Sequence, residues 1–416
     1  MWDNKNLPKF GPLAGVKVVH ATLAQAAPLG AQFLAEYGAD VIWVENALTG
    51  DVSRYTNSFL IEQDRKNQRT IALNIPTPEG KEILLKLIKE ADIFIENSKG
   101  GQYAKWGLTD EVLWEVNPKL VIAHITGYGL TGIPEYVNRP AFDTVVQAYA
   151  GMSFTNANPN GAYASPYFAD MAGAVFTAMS VLAALNKAKE TGIGESIDIA
   201  QFEILMRLQQ YMCDWFSAKY VYEQAGYPSA YGGCGVFTCK DGKQIQTHSM
   251  GAGVLRNIIP FLGLEYGGKL YPENISMVRS ADPNGAPLTE ALKAYLLTKT
   301  AVEAEEELQA LGLPCNKIND YQDVEDDPHV NARGMITEWK SFKGTDVRCV
   351  GIVPKFKKNP GKMWRPAPYM GMDNEEILGQ LGYSTEFIEE LYKKKVISND
   401  KDMNLCVPMK GKKLGW

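Results

Sequence analysis

Short apolar runs and helical stretches alternate along roughly the first 130 residues, and this alternation limits the fold more than any other feature of the chain. Residues 15–19 (Gly-Val-Lys-Val-Val) read as a buried strand. A loop through Ala27-Pro28 leads into a helical pattern over 29–37, closed by Gly38, and 41–45 (Val-Ile-Trp-Val-Glu) is a second strand. Strand, helix and strand make a βαβ unit, which requires parallel strands with a crossover helix. The pattern repeats with a strand at 70–75, a helix at 77–90 opened by Thr77-Pro-Glu, and a strand at 93–96. A helix at 110–115 ended by Asn117-Pro118 and a strand at 120–126 follow. The expected fold is α/β, with a doubly wound, mostly parallel, Rossmann-like sheet.

At 416 residues the chain is too long for one simple core, so a second domain is expected. From about Tyr222 the texture changes: Gly and Tyr increase, and Cys239-Lys-Asp-Gly242 reads as a hairpin turn. With helices around 288–297 and 302–311, this part reads as a smaller α+β domain. Strands near 347–353, a stretch containing Pro360, Pro366 and Pro368, a helical pair at 374–391 and a loose tail at 409–416 complete the chain.

The formal net charge of −6 argues against a general nucleic-acid or anionic-membrane binder, so any phosphate must be met by a few local Lys and Arg side chains. No run of 18 apolar residues predicts a membrane span, and the first residues lack the apolar core of a signal peptide, so a cytoplasmic location is expected. The six cysteines are scattered and fit neither a disulfide scaffold nor a zinc site, and no metal is expected. The four histidines are isolated from one another and read as packed or surface residues.

Chemistry enters at Ser165-Pro-Tyr-Phe-Ala-Asp170-Met-Ala-Gly173. Asp170 stands just before the segment 172–185, which is apolar nearly all round and is expected to be a buried helix. A carboxylate there meets unpaired N–H groups and the positive end of the dipole. It can serve as an N-cap or as an ionised nucleophile, and the residue alone does not choose between them.

Dinucleotide binding is a natural hypothesis for a βαβ unit ending in Glu45, which lies at the distance of a ribose-binding acid. The turn Ala24-Gln-Ala-Ala-Pro-Leu-Gly30 argues against it, because it is bulky where a backbone must approach a pyrophosphate. An NAD-dependent dehydrogenase is therefore disfavoured, and no Gly-Lys-Ser/Thr phosphate loop occurs.

The chain resembles the class III CoA-transferase family typified by formyl-CoA transferase, over essentially its whole length. The residues that carry the likeness are Ala27-Pro28, Gly38-Ala-Asp-Val-Ile42, Leu73-Asn74 with Thr77-Pro-Glu-Gly80, Ala91-Asp-Ile-Phe-Ile-Glu-Asn97, Thr126-Gly-Tyr-Gly129 and Thr191-Gly-Ile-Gly-Glu-Ser-Ile-Asp198. It is most similar to the carnitine and bile-acid branches. Gly233-Cys-Gly235 is closer to the carnitine type, whereas Ser98-Lys-Gly-Gly-Gln-Tyr103 and Asp327-Pro-His329 are closer to the bile-acid type.

The resemblance implies that Asp170 is the catalytic nucleophile, forming an anhydride and then an aspartyl-CoA thioester. It implies acyl-CoA and a carboxylic acid as substrates, with no resident cofactor. By family position Lys99 and Lys105 would meet the CoA phosphates, with Asn97 beside them, and Gln25 would lie near the reacting acyl oxygen. Relatives carry arginine after the Lys99 position, where this chain has Ala104-Lys105-Trp106; lysine keeps the charge but loses the bidentate fork. Residues 1–221 and 323–416 would form the large domain, with 222–322 inserted, and two chains would interlock as a homodimer. A betaine-type acid such as carnitine, γ-butyrobetaine or crotonobetaine is the expected substrate, with a bile acid as the alternative.

The related α-methylacyl-CoA racemases require a histidine where this chain has Phe142, and phenylalanine carries no proton, which disfavours an isomerase. A non-enzymatic acyl-CoA-binding homologue is less economical, since Asp170, Lys99 and Lys105 are all present. Tyr211, Trp215, Tyr220 and Tyr222 offer a cation–π surface for a trimethylammonium group, and their spacing fits a buried helix face equally well.

Overall fold

The computed structural model describes residues 7–55, 59–155, 167–209, 212–219 and 229–402. Six strands form one all-parallel sheet: β1 (Lys17–Ala21), β2 (Asp40–Asn46), β3 (Gln68–Leu73), β4 (Ile93–Glu96), β5 (Val121–Thr126) and β6 (Glu195–Ala200). Their order is β3-β2-β1-β4-β5-β6, so the chain reverses direction across the sheet between β1 and β4. The helices are α1 (Ala26–Glu36), α2 (Leu60–Arg65), α3 (Pro78–Glu90), α4 (Gln102–Lys105), α5 (Asp110–Val116), α6 (Pro134–Val137), α7 (Asp143–Tyr149), α8 (Met152–Thr155) and α9 (Phe168–Thr191). After β6 come α10 (Gln201–Leu208) and α11 (Met212–Ala218).

Alternation within each strand builds two cores. Val19, Phe94 and Ile122 pack with α3 and α5 on one face, while Val18, Ile93, Ile95 and Val121 pack with α1 and α9 on the other. The doubly wound α/β sheet is thus the observed fold.

Local chemistry explains where elements begin. Thr77 caps α3 by accepting from Gly80 N, and Pro78 occupies a first-turn position whose N–H would be unpaired in any case. Helix α1 starts at Ala26, so Ala27 and Pro28 are helical rather than a loop; Pro28 fits because the first turn has no N–H acceptors to lose. Strand β1 begins later than residue 15 because the chain is still turning there, with Val16 N bonded to Leu13 O.

The segment 172–185 lies in α9 as expected, but α9 is not buried all round. Ala172, Gly173, Ala174, Thr177, Val181 and Leu185 face α1 and the sheet, whereas Val175 and Met179 are 54% and 57% exposed. The sheet and α1 cover one side only, so an all-round apolar helix retains an uncovered stripe.

Two compact units divide the chain, one of Met1–Tyr220 with Gly334–Trp416 and one of Val221–Arg333. The second unit is α+β. Its antiparallel sheet is β7 (Gly235–Thr238), β8 (Gln244–Thr247) and β9 (Cys315–Lys317), with Cys239–Gly242 as the β7–β8 turn. Helices α12 (Ala252–Phe261), α13 (Gly285–Leu296) and α14 (Ala301–Ala310) pack on it around Ile245, Ile258, Leu292 and Leu308. Helices α15 (Tyr321–Asp326) and α16 (Pro328–Ala332) also belong to this unit, so the return crossing lies beyond the 322/323 boundary. An ion pair from Lys317 in β9 to Asp323 at 2.7 Å ties α15 to the small sheet. The first unit resumes with β10 (Ile336–Lys340), β11 (Asp346–Val350), α17 (Asn374–Gln380) and α18 (Thr385–Lys393). The tail at 409–416 lies outside the described residues.

Candidate functional site

In an open α/β sheet, ligands bind outside the carboxyl ends of the strands where the strand order reverses. Here that point lies between the β1–α1 turn and the segment after β4. The turn is held from several sides. Asn97 brackets Leu23 like a paired peptide, accepting from Leu23 N and donating to Leu23 O, both at 2.9 Å. Ala24 adopts a left-handed backbone (φ 63), which is costly for alanine. Its N–H donates to Asp51 Oδ1 at 3.3 Å and its carbonyl accepts from Arg65 at 2.6 Å. Gln25 is buried and donates to Asp64 Oδ2 at 2.5 Å.

Beneath the turn the polar groups are satisfied by one another. Arg54 makes a bidentate pair with Glu45, both contacts at 2.6 Å, so Glu45 is buried in an ion pair and not presented to a ribose. Arg54 and Arg65 both stack on the Trp43 ring, at 4.8 and 4.9 Å. Burial pushes His20 down to about 3, so its ring is neutral. The surrounding amide chain, Gln68 donating to Gln32, assigns the His20 Nε2 proton to Gln68 Oε1.

Asp170 stands on the same edge of the sheet. Helix α9 runs into β6 through a short turn at Gly192, so its N-terminus lies at the carboxyl end of that strand. Asp170 is the third residue of α9 and not its N-cap, which is Tyr167 with a left-handed backbone. The cap function comes from another helix: Asp143, first residue of α7, accepts Asp170 N–H on Oδ2 at 3.0 Å. The other Asp143 oxygen accepts from Gln147 at 2.5 Å. Gln201, which opens α10 directly after β6, donates to Asp170 Oδ1 at 2.7 Å. Among the described residues Asp170 Oδ2 accepts no hydrogen bond. A Cβ at Gly173 would lie 3.6 Å from Ala26 Cβ and 3.7 Å from Gln201 Nε2, so the start of α1 meets α9 within a turn of Asp170.

Burial raises the Asp170 carboxyl to about 6, with the Gln201 hydrogen bond opposing the rise and the Asp143 charge adding to it. The result is a half-buried carboxylate, ionised at neutral pH, more basic than an ordinary aspartate and fixed through one oxygen. Such a group can attack an activated carbonyl.

Lys99 and Lys105 are exposed after β4, and neither has an ion-pair partner among the described residues. Asn97 and Gln25 lie close by but are held by Leu23 and Asp64. Phe142 is 71% exposed and lies next to Asp143. Trp215 is 47% exposed on α11, a helix with no buried residue, so it is not part of a buried face; Lys219 lies 5.7 Å from its ring. Tyr211, Tyr220 and Tyr222 lie outside the described residues. Gly233-Cys-Gly235 is a fastened turn, with Gly233 N donating to Thr289 and Gly233 O accepting from Thr247.

Sequence reasoning missed Asp143, Gln201, Asp64 and Arg65. For Asp143 a signal existed, an acid at a helix start followed four residues later by Gln147. For Gln201 no local pattern points to Asp170.

Residues 13–374 match the sequence profile of CoA-transferase family III. Among solved structures, the chain is similar to a CAIB/BAIF family protein from Brucella suis, with 26% identity and a TM-score of 0.76 over 90% of this chain and 100% of that one. It is also similar to Rv3272 from Mycobacterium tuberculosis, with 25% identity and a TM-score of 0.77 over 89% of this chain and 100% of that one.

Proposed function

Because the chain belongs to CoA-transferase family III, and is therefore an enzyme that moves CoA between acids, we propose that transfer runs through Asp170 as a covalent nucleophile. An Asp170 oxygen attacks the donor thioester carbonyl, the C–S bond breaks, and CoA thiolate leaves from an acyl-aspartyl anhydride. The thiolate attacks the aspartyl carbonyl, expelling the donor acid as carboxylate and leaving an aspartyl-CoA thioester. The acceptor carboxylate attacks this thioester, giving a second anhydride and thiolate. Attack of thiolate on the acceptor carbonyl then releases the new acyl-CoA and restores Asp170. Each thioester is traded for another, so no ATP, metal or resident cofactor enters the balance.

The observation that carries this reading is the Asp170 carboxylate, held through Oδ1 by Gln201 and through its backbone by Asp143, with Oδ2 accepting no hydrogen bond among the described residues. Lys99 and Lys105 are assigned to the CoA phosphates; in support, both cations are exposed at the carboxyl edge and unpaired among the described residues. Asn97 and Gln25 contribute by fixing the β1–α1 turn. Asp170→Asn should abolish transfer while leaving CoA binding intact, and hydroxylamine with acyl-CoA should modify Asp170 alone in the unmutated enzyme. Near-normal turnover by the Asn variant would sink the mechanism.

For the substrate we favour a betaine-type acid (carnitine, γ-butyrobetaine or crotonobetaine) on the strength of Gly233-Cys-Gly235 and the exposed Trp215. A bile acid is the second reading, resting on Ser98-Lys-Gly-Gly-Gln-Tyr103. Initial rates with butyrobetainyl-CoA against a bile-acyl-CoA decide between them. The uncovered stripe of α9 at Val175 and Met179 supports a homodimer, which should persist in light scattering at nanomolar concentration.

A further inference from the structure

Glu96 and His124 are neighbours in the parallel register of β4 and β5, at the carboxyl end of the sheet. His124 Nδ1 lies 2.7 Å from Glu96 Oε1, and Nε2 lies 3.0 Å from Asp110 Oδ1 at the start of α5. Both ring nitrogens thus face carboxylate oxygens, an arrangement that only a doubly protonated imidazole satisfies with two donors. The second Glu96 oxygen, Oε2, accepts from Ser98 N at 2.6 Å. From Ser98 the chain continues directly to Lys99, whose carbonyl accepts from Gln102 N to start α4.

Resting on the reading that the segment after β4 receives CoA, we infer that His124, clamped between Glu96 and Asp110, is a positioning residue that sets this segment for CoA. The path runs from His124 to Glu96 and from Glu96 to Ser98, next to Asn97 and Lys99. With its partner lost, Glu96 would be a buried carboxylate without its counter-charge, and it would turn. That change weakens its hold on Ser98 N. The segment then loosens, and the cation it carries is displaced.

The other charged and titratable groups around the imidazole have separate roles. Asp198 on β6 is cross-strand from His124 but accepts from Leu130 N. Tyr103 on α4 is buried, and burial together with the Glu96 charge holds its hydroxyl well above the usual range. Glu111, beside Asp110, is exposed. Burial alone would lower His124; hydrogen bonds and charge from Asp110 and Glu96 overcome it and lift the group to about 9. A hydrogen bond from Ser196 helps hold Asp110 below its usual range, as does the one from His124, against the opposing effect of burial. The clamp is therefore closed at neutral pH and opens as pH rises past about 9.

The test is calorimetric titration with the S-propyl thioether of CoA, which has neither a free thiol nor a transferable acyl group, from pH 7 to 10. It is run on the unmutated protein, His124→Asn and Asp110→Asn, alongside kcat and KM for acyl-CoA. His124→Asn should weaken binding about tenfold at pH 7.5 and raise KM alike, with kcat within about twofold, the loss of one charge-assisted restraint. Unmutated protein should lose affinity more steeply through pH 9 than His124→Asn; the two share the same lysines, so the difference reports on the imidazole. Asp110→Asn, which keeps the Glu96 contact, should lose affinity at a lower pH than the unmutated protein. A purely structural role would lower Tm and leave affinity and its pH dependence alone, and that result overturns the inference. If His124→Asn fails to fold, a pH-independent affinity of the unmutated protein across 8–10 also overturns it. A protein that transfers CoA yet shows no such dependence leaves the CoA reading standing, whereas one that neither binds the thioether nor transfers CoA removes both.

Discussion

Replacing Asp143 separates its two effects on Asp170, the hydrogen bond and the charge. Its Oδ2 accepts the Asp170 N–H at 3.0 Å, and its negative charge is one of the causes that raise Asp170 to about 6. Asp143→Ala removes both and leaves the third N–H of α9 without its acceptor. A hydrogen bond to a charged group contributes about 1.5–3 kcal/mol, so if the loss falls on the position of the nucleophile kcat should drop by roughly 10–100-fold. Asp143→Asn keeps an acceptor oxygen for the Asp170 N–H and removes the charge, while the Gln147 amide must turn so that its oxygen accepts from the new NH2. Transfer should then persist, with the acid limb of kcat/KM, which reports the free-enzyme carboxyl, moved below its position near 6. The sign follows from the charge: a neighbouring anion disfavours ionisation of Asp170, so its removal lowers the pH at which half the enzyme is active. The assay is a pH profile of CoA exchange from 4.5 to 8 with an acceptor acid that titrates well below that range. An unmoved acid limb in Asp143→Asn, or full kcat in Asp143→Ala, would refute the argument.

Three further outcomes follow from the same geometry. Asp170 is raised in the folded state, so its ionised form costs stability above pH 6 and this cost disappears below the unfolded value of 3.8; Asp170→Asn should raise stability at pH 8 by about 1 kcal/mol after discounting for solvent screening, and by nothing near pH 3.5, read by urea midpoint. Lys99→Ala and Lys105→Ala should each raise KM for acyl-CoA about tenfold with kcat little changed, and the effect should shrink at high salt; an unchanged KM in both variants removes the phosphate assignment. Gly30 allows α1 to approach α9, since a Cβ there would lie 3.0 Å from Thr177 Cβ and Cγ2 and 3.2 Å from Ala174 O, so Gly30→Val should destabilise the fold by about 1–3 kcal/mol in urea, and an unchanged midpoint would show that the contact is loose.

What the sequence reveals about this protein is set by the range of each interaction. Strand and helix periodicity is local, so β2, β4 and α3 lie where their residues place them, and parallel pairing follows from the crossovers. Pro28 misleads because proline signals a break only where an N–H is needed, and the first turn needs none. Apolarity around α9 expresses a preference for burial without naming the partner, so Val175 and Met179 remain uncovered although the helix itself was legible. The site is less visible still. Asp170 stands out beside an apolar run, but the groups that define its chemistry come from residues 27 and 31 positions away, Asp143 on α7 and Gln201 after β6. Gln25 is fixed by Asp64, 39 positions on. No spacing rule connects such pairs, because they meet only where the carboxyl edge of the sheet gathers the ends of separate βα units. The same distance effect removes one of the two readings left open for Asp170. An aspartate at a helix start reads as its own cap, but here Tyr167 is the N-cap and Asp143 from another helix accepts the Asp170 N–H, so the Asp170 carboxylate is held by Gln201 instead of capping its own helix.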